Sequence, residues 1–375
     1  MQITAQGFLV YELTNSPAYL GLVSFAAGVP TWIFILWAGV AADRFPRRNL
    51  MILIQAAMMV PAFILAGLTF AGRVQPWHIV GLAVVLGIAN AFDGPVRQAF
   101  VPELVEDRHD LTNAIALNAT MFNLAVVIGP AVGGLAYAWV GPGWCFLLNA
   151  VSFLAVIVAL ALMHPRPVQV SPRQQISVSE VAAGLVFVLR NKVVLLLTLT
   201  IGLASIFGVG VMALMPAWAV QVLHGGPQTN GLILSARGLG ALVGSIAVAS
   251  QGPVHSRGRL WAAGIFLLPV MMLIFSFTRW QPISLVVMAL VGLSFMLTAN
   301  TSNALIQSRI PDELRGRVMA VYLLVFFGSF PLGSLLAGQM AESLGEPLTV
   351  FIHSLVLTAY AVFLWLRFPQ MRKLE

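Results

Sequence analysis

Charged residues are scarce in this chain of 375 residues. Asp, Glu, Lys and Arg together make up 9% of the sequence, whereas hydrophobic residues make up 59% and the mean hydropathy is +0.92. Because a water-soluble domain carries roughly 25% charged residues, this composition excludes an ordinary soluble protein. Charge-free runs such as 49–72, 193–236 and 280–308 can each cross a bilayer as a helix, which takes about 20 apolar residues.

Cysteine is almost absent, because Cys145 is the only one. A single thiol excludes a disulfide framework and a thiolate metal site. The six histidines have no nearby acidic or cysteine cluster with the spacing of a metal or triad site, and no Gly-x-x-x-x-Gly-Lys motif for nucleotide phosphates occurs. We therefore predict that the chain is not an enzyme, needs no metal or other cofactor and does not hydrolyse ATP.

Short segments of alternating polarity, the pattern of a transmembrane β-barrel, are also lacking. Helices are the remaining structure that satisfies backbone amides in lipid, so we predict an all-α polytopic membrane protein. Turn signals such as Gly141-Pro142-Gly143 divide the longest apolar runs. The sequence predicts residues 1–12 as the end of a helix and then eleven full spans near 17–42, 49–71, 77–100, 113–138, 143–163, 193–222, 229–251, 260–278, 283–306, 318–341 and 348–366.

Basic residues give the chain a net charge of +7, but they are spread through the short gaps between apolar runs. This distribution argues against a nucleic-acid partner and indicates membrane topology, because Lys and Arg are retained in cytoplasmic loops. If the loop with Arg44, Arg47 and Arg48 is cytoplasmic, sixteen of the twenty Lys and Arg residues fall on that side. Only Arg73 and Arg279 fall on the other side. The same alternation predicts a cytoplasmic C-terminus.

An internal repeat with an offset of 210 residues runs through the sequence. Its matching pairs include Pro17 and Pro227, Gly21 and Gly231, Asn90 and Asn300, and Glu103 and Glu313. Both members of each pair fall on the same side of the membrane, so we predict a parallel repeat of two six-helix bundles. The offset also puts the start of the first span upstream of Met1, so we expect the chain to begin within a truncated first helix.

The repeat divides the chain into three predicted segments. Residues 1–163 form the first bundle, 164–192 form a cytoplasmic linker, and 193–375 form the second bundle. Within the linker, the mildly amphipathic stretch 181–189 is predicted to be a helix that lies along the membrane interface. Because each bundle completes the other, a monomer is sufficient.

The loop after the first full span reads Gly39-Val40-Ala41-Ala42-Asp43-Arg44-Phe45-Pro46-Arg47-Arg48. This segment resembles motif A of the major facilitator superfamily, with proline where the family has its second glycine. A carboxylate at a helix end can bind the positive N-terminus of a partner helix, and flanking arginines can form reversible pairs. The resemblance therefore implies a gate made by Gly39, Asp43, Arg44, Arg47 and Arg48. The alternative is a basic loop that only fixes the topology.

Further along, Gly129-Pro130-Ala131-Val132-Gly133-Gly134 resembles motif C, which is associated with the antiporters of this superfamily. Its small residues permit close helix contact, and its proline removes one backbone hydrogen bond. The segments Asn90-Ala91-Phe92-Asp93-Gly94-Pro95-Val96-Arg97-Gln98 and Pro311-Asp312-Glu313-Leu314-Arg315-Gly316-Arg317 resemble the drug and siderophore exporter branch, which includes enterobactin and macrolide exporters. This resemblance covers nearly the whole chain.

Asp93 is the only acidic residue well inside a complete span, and Arg97 lies one helical turn further on the same helix face. Charges in a membrane are expensive and often functional, so the pair is a candidate for proton coupling or gating. The alternative is a permanently ionised pair that only locks helices together. Arg237 is a lone cation within another span, and we predict that it contacts substrate or takes part in gating. Pairing of Arg237 with backbone carbonyls is the alternative.

Polar side chains inside the spans are candidates for the lining of a central cavity. Asn300 and Asn303 are the best candidates because they repeat Asn90 and Asp93, and Asn123 is a third. Such residues also bind neighbouring helices to one another, so a purely structural role is the alternative.

The resemblance implies a secondary active transporter in a bacterial inner membrane. Its expected activity is export of small amphipathic molecules, such as drugs or siderophores, by alternating access in exchange for protons. The expected partners are the small-molecule substrate, protons and the lipid bilayer. An importer or facilitator with the same fold, or a transport-inactive fragment, is the alternative. Neither the substrate nor the coupling ion follows from the sequence.

Overall fold

The computed structural model describes residues 1–105, 110–163, 178–250 and 257–373, and it contains only helices and their connections there. Eleven of these helical segments are long and apolar enough to cross a membrane. The predicted all-α polytopic fold is therefore confirmed. The predicted linker residues 164–177 and the basic residues Arg108, Arg166 and Arg173 lie outside the described ranges.

The N-terminal half comprises six helices, which match the predicted spans closely. They are α1 (Gln2–Thr14), α2 (Pro17–Arg44), α3 (Arg47–Phe70), α4 (Pro76–Phe100), α5 (Leu111–Val140) and α6 (Pro142–Leu162). Proline occupies the first turn of three of them, where its fixed φ suits the helix and its missing N–H costs nothing. Gly141 ends α5 with a φ of 84°, a conformation that other residues rarely adopt.

The C-terminal half follows helix α7 (Val178–Arg190), which includes the stretch predicted to lie along the interface. Gly184 of α7 lies against the start of α13, since an added Cβ would meet the carbonyl oxygen of Arg317 at 2.5 Å. The remaining helices are α8 (Lys192–Leu203), α9 (Met215–Ala217), α10 (Pro227–Ala249), α11 (Arg257–Phe277), α12 (Gln281–Gln307), α13 (Arg315–Leu344) and α14 (Glu346–Arg367).

The span Lys192–Val222, predicted from the sequence near 193–222, is irregular. Between α8 and α9 it passes through a π-helical segment, Ala204–Val209, and a 3-10 segment, Gly210–Leu214. Glycines and a proline explain the break, because they weaken the regular hydrogen-bond ladder. Gly210 also brings the segment into backbone contact with Gly333 of α13.

Successive spans run in opposite directions, so each loop lies at one of two membrane faces. We call the face at which α2 ends and α3 begins the basic face, because Arg44, Arg47 and Arg48 lie there. The other side is the opposite face. The last span, α14, ends at the basic face, where Arg367 and the C-terminal 3-10 turn Pro369–Lys373 follow.

The two halves are related by the predicted repeat. Tyr11 of the first half and Gln221 of the second are 210 residues apart, and the Gln221 amide donates a hydrogen bond to the Tyr11 hydroxyl at 3.0 Å. Equivalent residues touch each other only at the axis that relates the halves. The contact therefore marks that axis near the opposite face.

Helices within each half pack through small residues, because lipid gives apolar side chains no reason to prefer one another. Gly240 of α10 shows the extreme case: an added Cβ would overlap the carbonyl oxygen of Ala289 on α12. In the other half, Gly87 of α4 lies in the same way against the carbonyl of Ala27 on α2.

We expect Gly240→Ala to destabilise the protein by about 1–3 kcal/mol, because α10 and α12 must separate to accept one methyl group. The thermal unfolding midpoint of the purified protein in detergent should fall accordingly. Gly81→Ala is the matched control, since an added Cβ there meets no atom within 4 Å. Equal midpoints for the two variants would show that the close backbone contact contributes nothing to stability.

Candidate functional site

A cavity of about 180 Å³ lies between the two halves. Both halves line it in a symmetrical way, because four pairs of lining residues are 210 positions apart. These pairs are Ile3 and Ala213, Gln6 and Pro216, Leu20 and Asn230, and Ser24 and Leu234. The lining is mostly apolar, so its few polar side chains decide what the cavity can bind.

Asn230 is the residue of this lining whose buried side-chain nitrogen and oxygen both lack partners. It is 0% exposed, and neither its amide nitrogen nor its amide oxygen has a hydrogen bond in the described part of the chain. A buried polar group without a partner costs about 1–3 kcal/mol. By contrast, Gln6 in the same lining donates to the carbonyl oxygen of Ile79 at 3.2 Å. Asn230 therefore offers one donor group and one acceptor to a molecule in the cavity.

Sequence reasoning missed Asn230, although a signal was present. Asn230 repeats Leu20 at the offset of 210 residues, so a polar residue stands in one half where the other half is apolar. Asp93 and Arg97 differ in the same way from their equivalents, Asn303 and Gln307.

Arg237 lies on the cavity side of α10. It follows Asn230 and Leu234 at positions i, i+4 and i+7, which share one face of a helix. The side chain is half-buried and has no ion pair or hydrogen bond among the described residues. Its equivalent in the first half is Ala27, which lines the cavity. Arg237 is therefore a cation placed one turn from the cavity toward the basic face.

Asp93 and Arg97 form the pair that their spacing predicts. The guanidinium donates Nη2–H to both carboxylate oxygens, at 2.9 and 2.7 Å, and Nε–H to Oδ2 at 3.2 Å. Gln55 of α3 donates to Asp93 Oδ1 at 3.1 Å. The Asp93 side chain is 17% exposed and that of Arg97 is 49% exposed. The pair thus links α3 to α4 and remains partly exposed.

The pair also lies on the cavity face of its helix. Ala83 and Leu86 of α4 line the cavity, and Asn90, Asp93 and Arg97 continue the same face toward the basic side. The cavity and the ionisable pair therefore lie along one face of α4, with the pair nearer the basic face.

The three predicted asparagines lie outside the lining of this cavity. Asn300 donates to the Ser245 hydroxyl of α10 at 3.1 Å, and Asn303 accepts a hydrogen bond from Gln307 at 2.5 Å. The second bond repeats the geometry of the Asp93 and Arg97 pair with amides in place of charges. Asn123 on α5 is half-buried. A cavity role for these residues stays a prediction.

The motif A arginines bind within the N-terminal half. Arg47 pairs with Glu103 at 2.6 Å and donates to the carbonyl oxygens of Ala42 and Ala99. Arg48 donates to the carbonyl oxygens of Leu160, at 2.7 Å, and of Ala161. These carbonyls lie at helix C-termini, where cations are favoured.

The other members of motif A are not engaged in this way. Asp43 is half-buried, Arg44 is exposed, and neither has a hydrogen bond or ion pair in the described part of the chain. Gly39 faces open space, because an added Cβ would meet no atom within 4 Å. The gating role of these residues stays a prediction.

Motif C packs α5 against α10 of the other half. An added Cβ on Gly134 would overlap the carbonyl oxygen of Pro227 and lie 3.1 Å from Cα of Gly231. The backbone N–H of Ala131 donates to the Ser235 hydroxyl at 2.9 Å. Gly133 lies against Met1 of α1, whereas Gly129 has no atom within 4 Å of an added Cβ. Part of the motif is therefore a contact between the halves.

The second contact between the halves joins α2 to α13. Gly21 of α2 lies against Gly338, whose Cα would be 3.1 Å from an added Cβ, and Gly28 lies against Pro331. Trp32 lies against Gly328 near the middle of both helices. These contacts extend from mid-membrane to the opposite face.

Glu342 closes the α2 and α13 contact at the opposite face, and sequence reasoning missed it. Its carboxylate accepts hydrogen bonds from the Ser16 hydroxyl at 2.6 Å and the Ala18 backbone N–H at 3.1 Å. Ser16 is the N-cap of α2, so the carboxylate sits at the positive end of that helix. The signal in the sequence was an acidic residue in the last turn of a span beside the opposite face.

Metal binding has no candidate here. Within the described ranges, no group of three or more His, Cys, Asp or Glu side chains is placed to hold a metal ion.

Comparison with known proteins decides the family. The model of the transmembrane secretion effector family matches residues 1–375. The chain belongs to this family, which is part of the major facilitator superfamily. The resemblance to that superfamily, seen in the motifs, is confirmed.

Three curated relatives of this family member are efflux pumps or siderophore transporters by name. The multidrug efflux pump Tap of Mycolicibacterium fortuitum is 27% identical and covers 100% of this chain and 92% of its own length. The staphyloferrin A transporter of Staphylococcus aureus is 26% identical, with coverage of 92% and 86%. The macrolide efflux protein A of Streptococcus pyogenes is 24% identical, with coverage of 90% and 84%. This member of the transmembrane secretion effector family is thus similar to these transporters along nearly its whole length.

Solved structures support the fold of this family member. The nucleoside transporter NupG superposes with a TM-score of 0.69 at 14% identity, with 100% of this chain and 98% of NupG covered. At that identity the likeness concerns the fold alone. It confirms the predicted major facilitator fold.

We expect Gly134→Val to open the contact at the opposite face, because the larger side chain cannot fit against Gly231. A reporter cysteine, Asn230→Cys in a Cys145→Ser background, should then react faster with an impermeant maleimide applied at that face. A steric cost of about 1–3 kcal/mol corresponds to a roughly 5- to 150-fold shift in the population of the closed state.

Gly129→Val is the matched control for this experiment, since it lies in the same motif but faces open space. Equal labelling rates in the two valine variants would show that the Gly134 contact does not close this face.

Proposed function

We propose that this protein exports small amphipathic molecules by alternating access and takes up protons in exchange. The observation that carries the proposal is a cavity between the two halves, with close contacts between the halves at the opposite face and an ionisable pair on the same face of α4 toward the basic side. The names of the relatives support export of drugs or siderophores. A substrate in this cavity can leave at the opposite face only after the halves have moved.

The basic face is the cytoplasmic face in this proposal, because loops rich in Lys and Arg stay in the cytoplasm. The protein is a multi-pass protein of the bacterial inner membrane with a cytoplasmic C-terminus. The described state is then closed to the outside and ready to load substrate from the cytoplasm or from the inner leaflet.

Two reciprocal contacts between α2 and α13 provide the gates. At the opposite face, Glu342 near the end of α13 binds the N-terminus of α2. At the basic face, Asp43 near the end of α2 is placed to bind the N-terminus of α13 when the halves tilt. Both contacts use a carboxylate at the positive end of a helix. The packing of Trp32 against Gly328 lies between them and serves as the pivot.

Proton coupling is assigned to Asp93. As long as the carboxylate is ionised, it holds Arg97 and accepts from Gln55. A proton taken up on the carboxylate removes its charge and weakens the bond to Arg97, so α4 loses one restraint and the guanidinium becomes free to move. Release of that proton at the cytoplasmic face restores the pair. In this cycle the proton gradient drives transport by breaking and restoring the pair between Asp93 and Arg97.

Substrate recognition is assigned to the cavity. Its apolar wall suits a hydrophobic body of varied shape, and Asn230 supplies one hydrogen-bonding position. Arg237 adds a positive charge one turn nearer the basic face, where a polar or anionic group of the substrate would lie.

We expect Asp93→Asn to abolish proton-coupled export while the protein still folds and inserts. The test uses everted membrane vesicles with a fluorescent reporter of the proton gradient and a panel of lipophilic drugs, macrolides and siderophores. A transported compound should discharge the gradient in the wild type but not in the variant. Asp312→Asn is the matched control, because Asp312 is an exposed acidic residue at the same face and lies outside the cavity.

Unchanged exchange in Asp93→Asn would make the pair a structural lock only. Compounds that move inward with the protons would identify an importer with the same fold.

Asn230→Leu should weaken binding of the transported compound, because the cavity loses its unpaired amide. A hydrogen bond contributes about 0.5–1.5 kcal/mol, so the substrate concentration for half-maximal exchange should rise roughly 2- to 10-fold. The maximal rate should change little. Asn300→Leu is the comparison, since the Asn300 amide already binds Ser245. A larger effect from Asn300→Leu would place the recognition site at the residues predicted from the sequence instead.

A further inference from the structure

A second cavity, on the outer surface of the C-terminal half, has no part in the transport path. It has a volume of about 460 Å³ and lies at the basic face between α11, α14 and the C-terminal turn. Its lining consists of two cations and apolar groups, namely Arg259, Ala262, Ala263, Phe266, Trp365 and Arg372. We call it the arginine groove. The strongly exposed apolar side chains Phe363 and Leu366 beside it indicate that this surface faces lipid.

The arginine groove is built by a close backbone contact. An added Cβ on Gly258, in the first turn of α11, would lie 2.7 Å from the carbonyl oxygen of Met371. The absence of a side chain there lets the C-terminal turn lie on the start of α11. The buried Met371 side chain anchors the turn. This contact brings Arg372 to the same groove as Arg259, although they are more than a hundred residues apart in the sequence.

Arg372 is held in a fixed position. Its guanidinium lies 3.4 Å from the centre of the Trp365 ring, and its Nη2–H donates to the Trp365 carbonyl oxygen at 2.6 Å. Its Nε is buried and has no acceptor in the described part of the chain. Trp365 also packs edge-on against Phe266 of α11, with ring centres 5.3 Å apart. The cation is therefore ordered by an aromatic wall and is not neutralised by any carboxylate of the lining.

The charged end of the groove lies at the basic face, and its apolar wall continues from there into the membrane. Arg259 lies in the first turn of α11, and Ala262, Ala263 and Phe266 continue the same face into the membrane. At 1.5 Å per residue, the wall from Arg259 to Phe266 spans about 10 Å. The two guanidiniums thus lie at headgroup level, with an apolar slot below them that has the depth of several methylene groups.

We propose that the arginine groove binds an anionic phospholipid from the leaflet at the basic face. Its phosphate lies between Arg259 and Arg372, and one acyl chain runs along the two alanines and Phe266. Guanidiniums bind phosphate oxygens through paired, charge-assisted hydrogen bonds, and basic pockets between transmembrane helices suit anionic headgroups. A zwitterionic lipid carries the same phosphate but adds a cation, which the two arginines repel. The site is independent of the transport cycle.

The experiment measures lipid retention by the full chain. Native mass spectrometry of the purified protein compares phosphatidylglycerol with phosphatidylcholine of the same acyl chains. The wild type should prefer the anionic lipid, and Arg259→Gln and Arg372→Gln should each lower its affinity about fivefold. Arg315→Gln is the matched control. It removes an exposed arginine at the same face, where Arg315 pairs with Asp312 outside the groove.

A second measurement separates the possible outcomes. The thermal unfolding midpoint of each variant in phosphatidylcholine reports whether it is folded, and the rise on adding phosphatidylglycerol reports binding. Equal retention of both lipids by the wild type would overturn the proposal. Full retention of phosphatidylglycerol by a variant that carries both Arg259→Gln and Arg372→Gln would also overturn it. Inorganic phosphate alone is the third probe. Protection equal to that by phosphatidylglycerol would overturn a lipid site in favour of a simple anion site.

Discussion

Backbone contact at glycine is the constraint on which this structure depends. Lipid tails are as apolar as the side chains, so no hydrophobic effect drives the helices together. The helices are held instead where their backbones approach closely. Gly21 with Gly338 and Gly134 with Gly231 give the two halves such contacts. A contact of this kind is lost once the backbones separate by the width of a methyl group. A small separation therefore removes the contact altogether, and the proposed gates depend on this property.

The sequence predicts the spans well because the thickness of the bilayer sets their length and their composition. It also predicts the Asp93 and Arg97 pair, since a spacing of four residues on a helix suffices to place two side chains together. What it misses depends on contacts between distant segments. Asn230 cannot be told apart from other polar residues until the cavity around it is known. The role of Glu342 follows only from its contact with the N-terminus of α2, which is distant in the sequence.

For the two motifs as well, the sequence indicates the kind of contact but not the partner. Motif A indicated a gate, but Arg47 and Arg48 bind the ends of helices in their own half, which is a local role. Motif C indicated close packing, and Gly134 provides it across the two halves. A motif thus fixes the kind of contact that its residues make. Which partner they meet depends on the fold of the whole chain.

The bond between Tyr11 and Gln221 has a consequence for the origin of the molecule. These two residues occupy the same position in the two halves and meet at the axis between them. In an ancestor made of two identical half-length chains, that position would have faced a copy of itself. In this chain the two positions differ, and an amide donor from one half faces a phenol from the other. The two halves of this chain have therefore diverged at a position where equivalent residues touch.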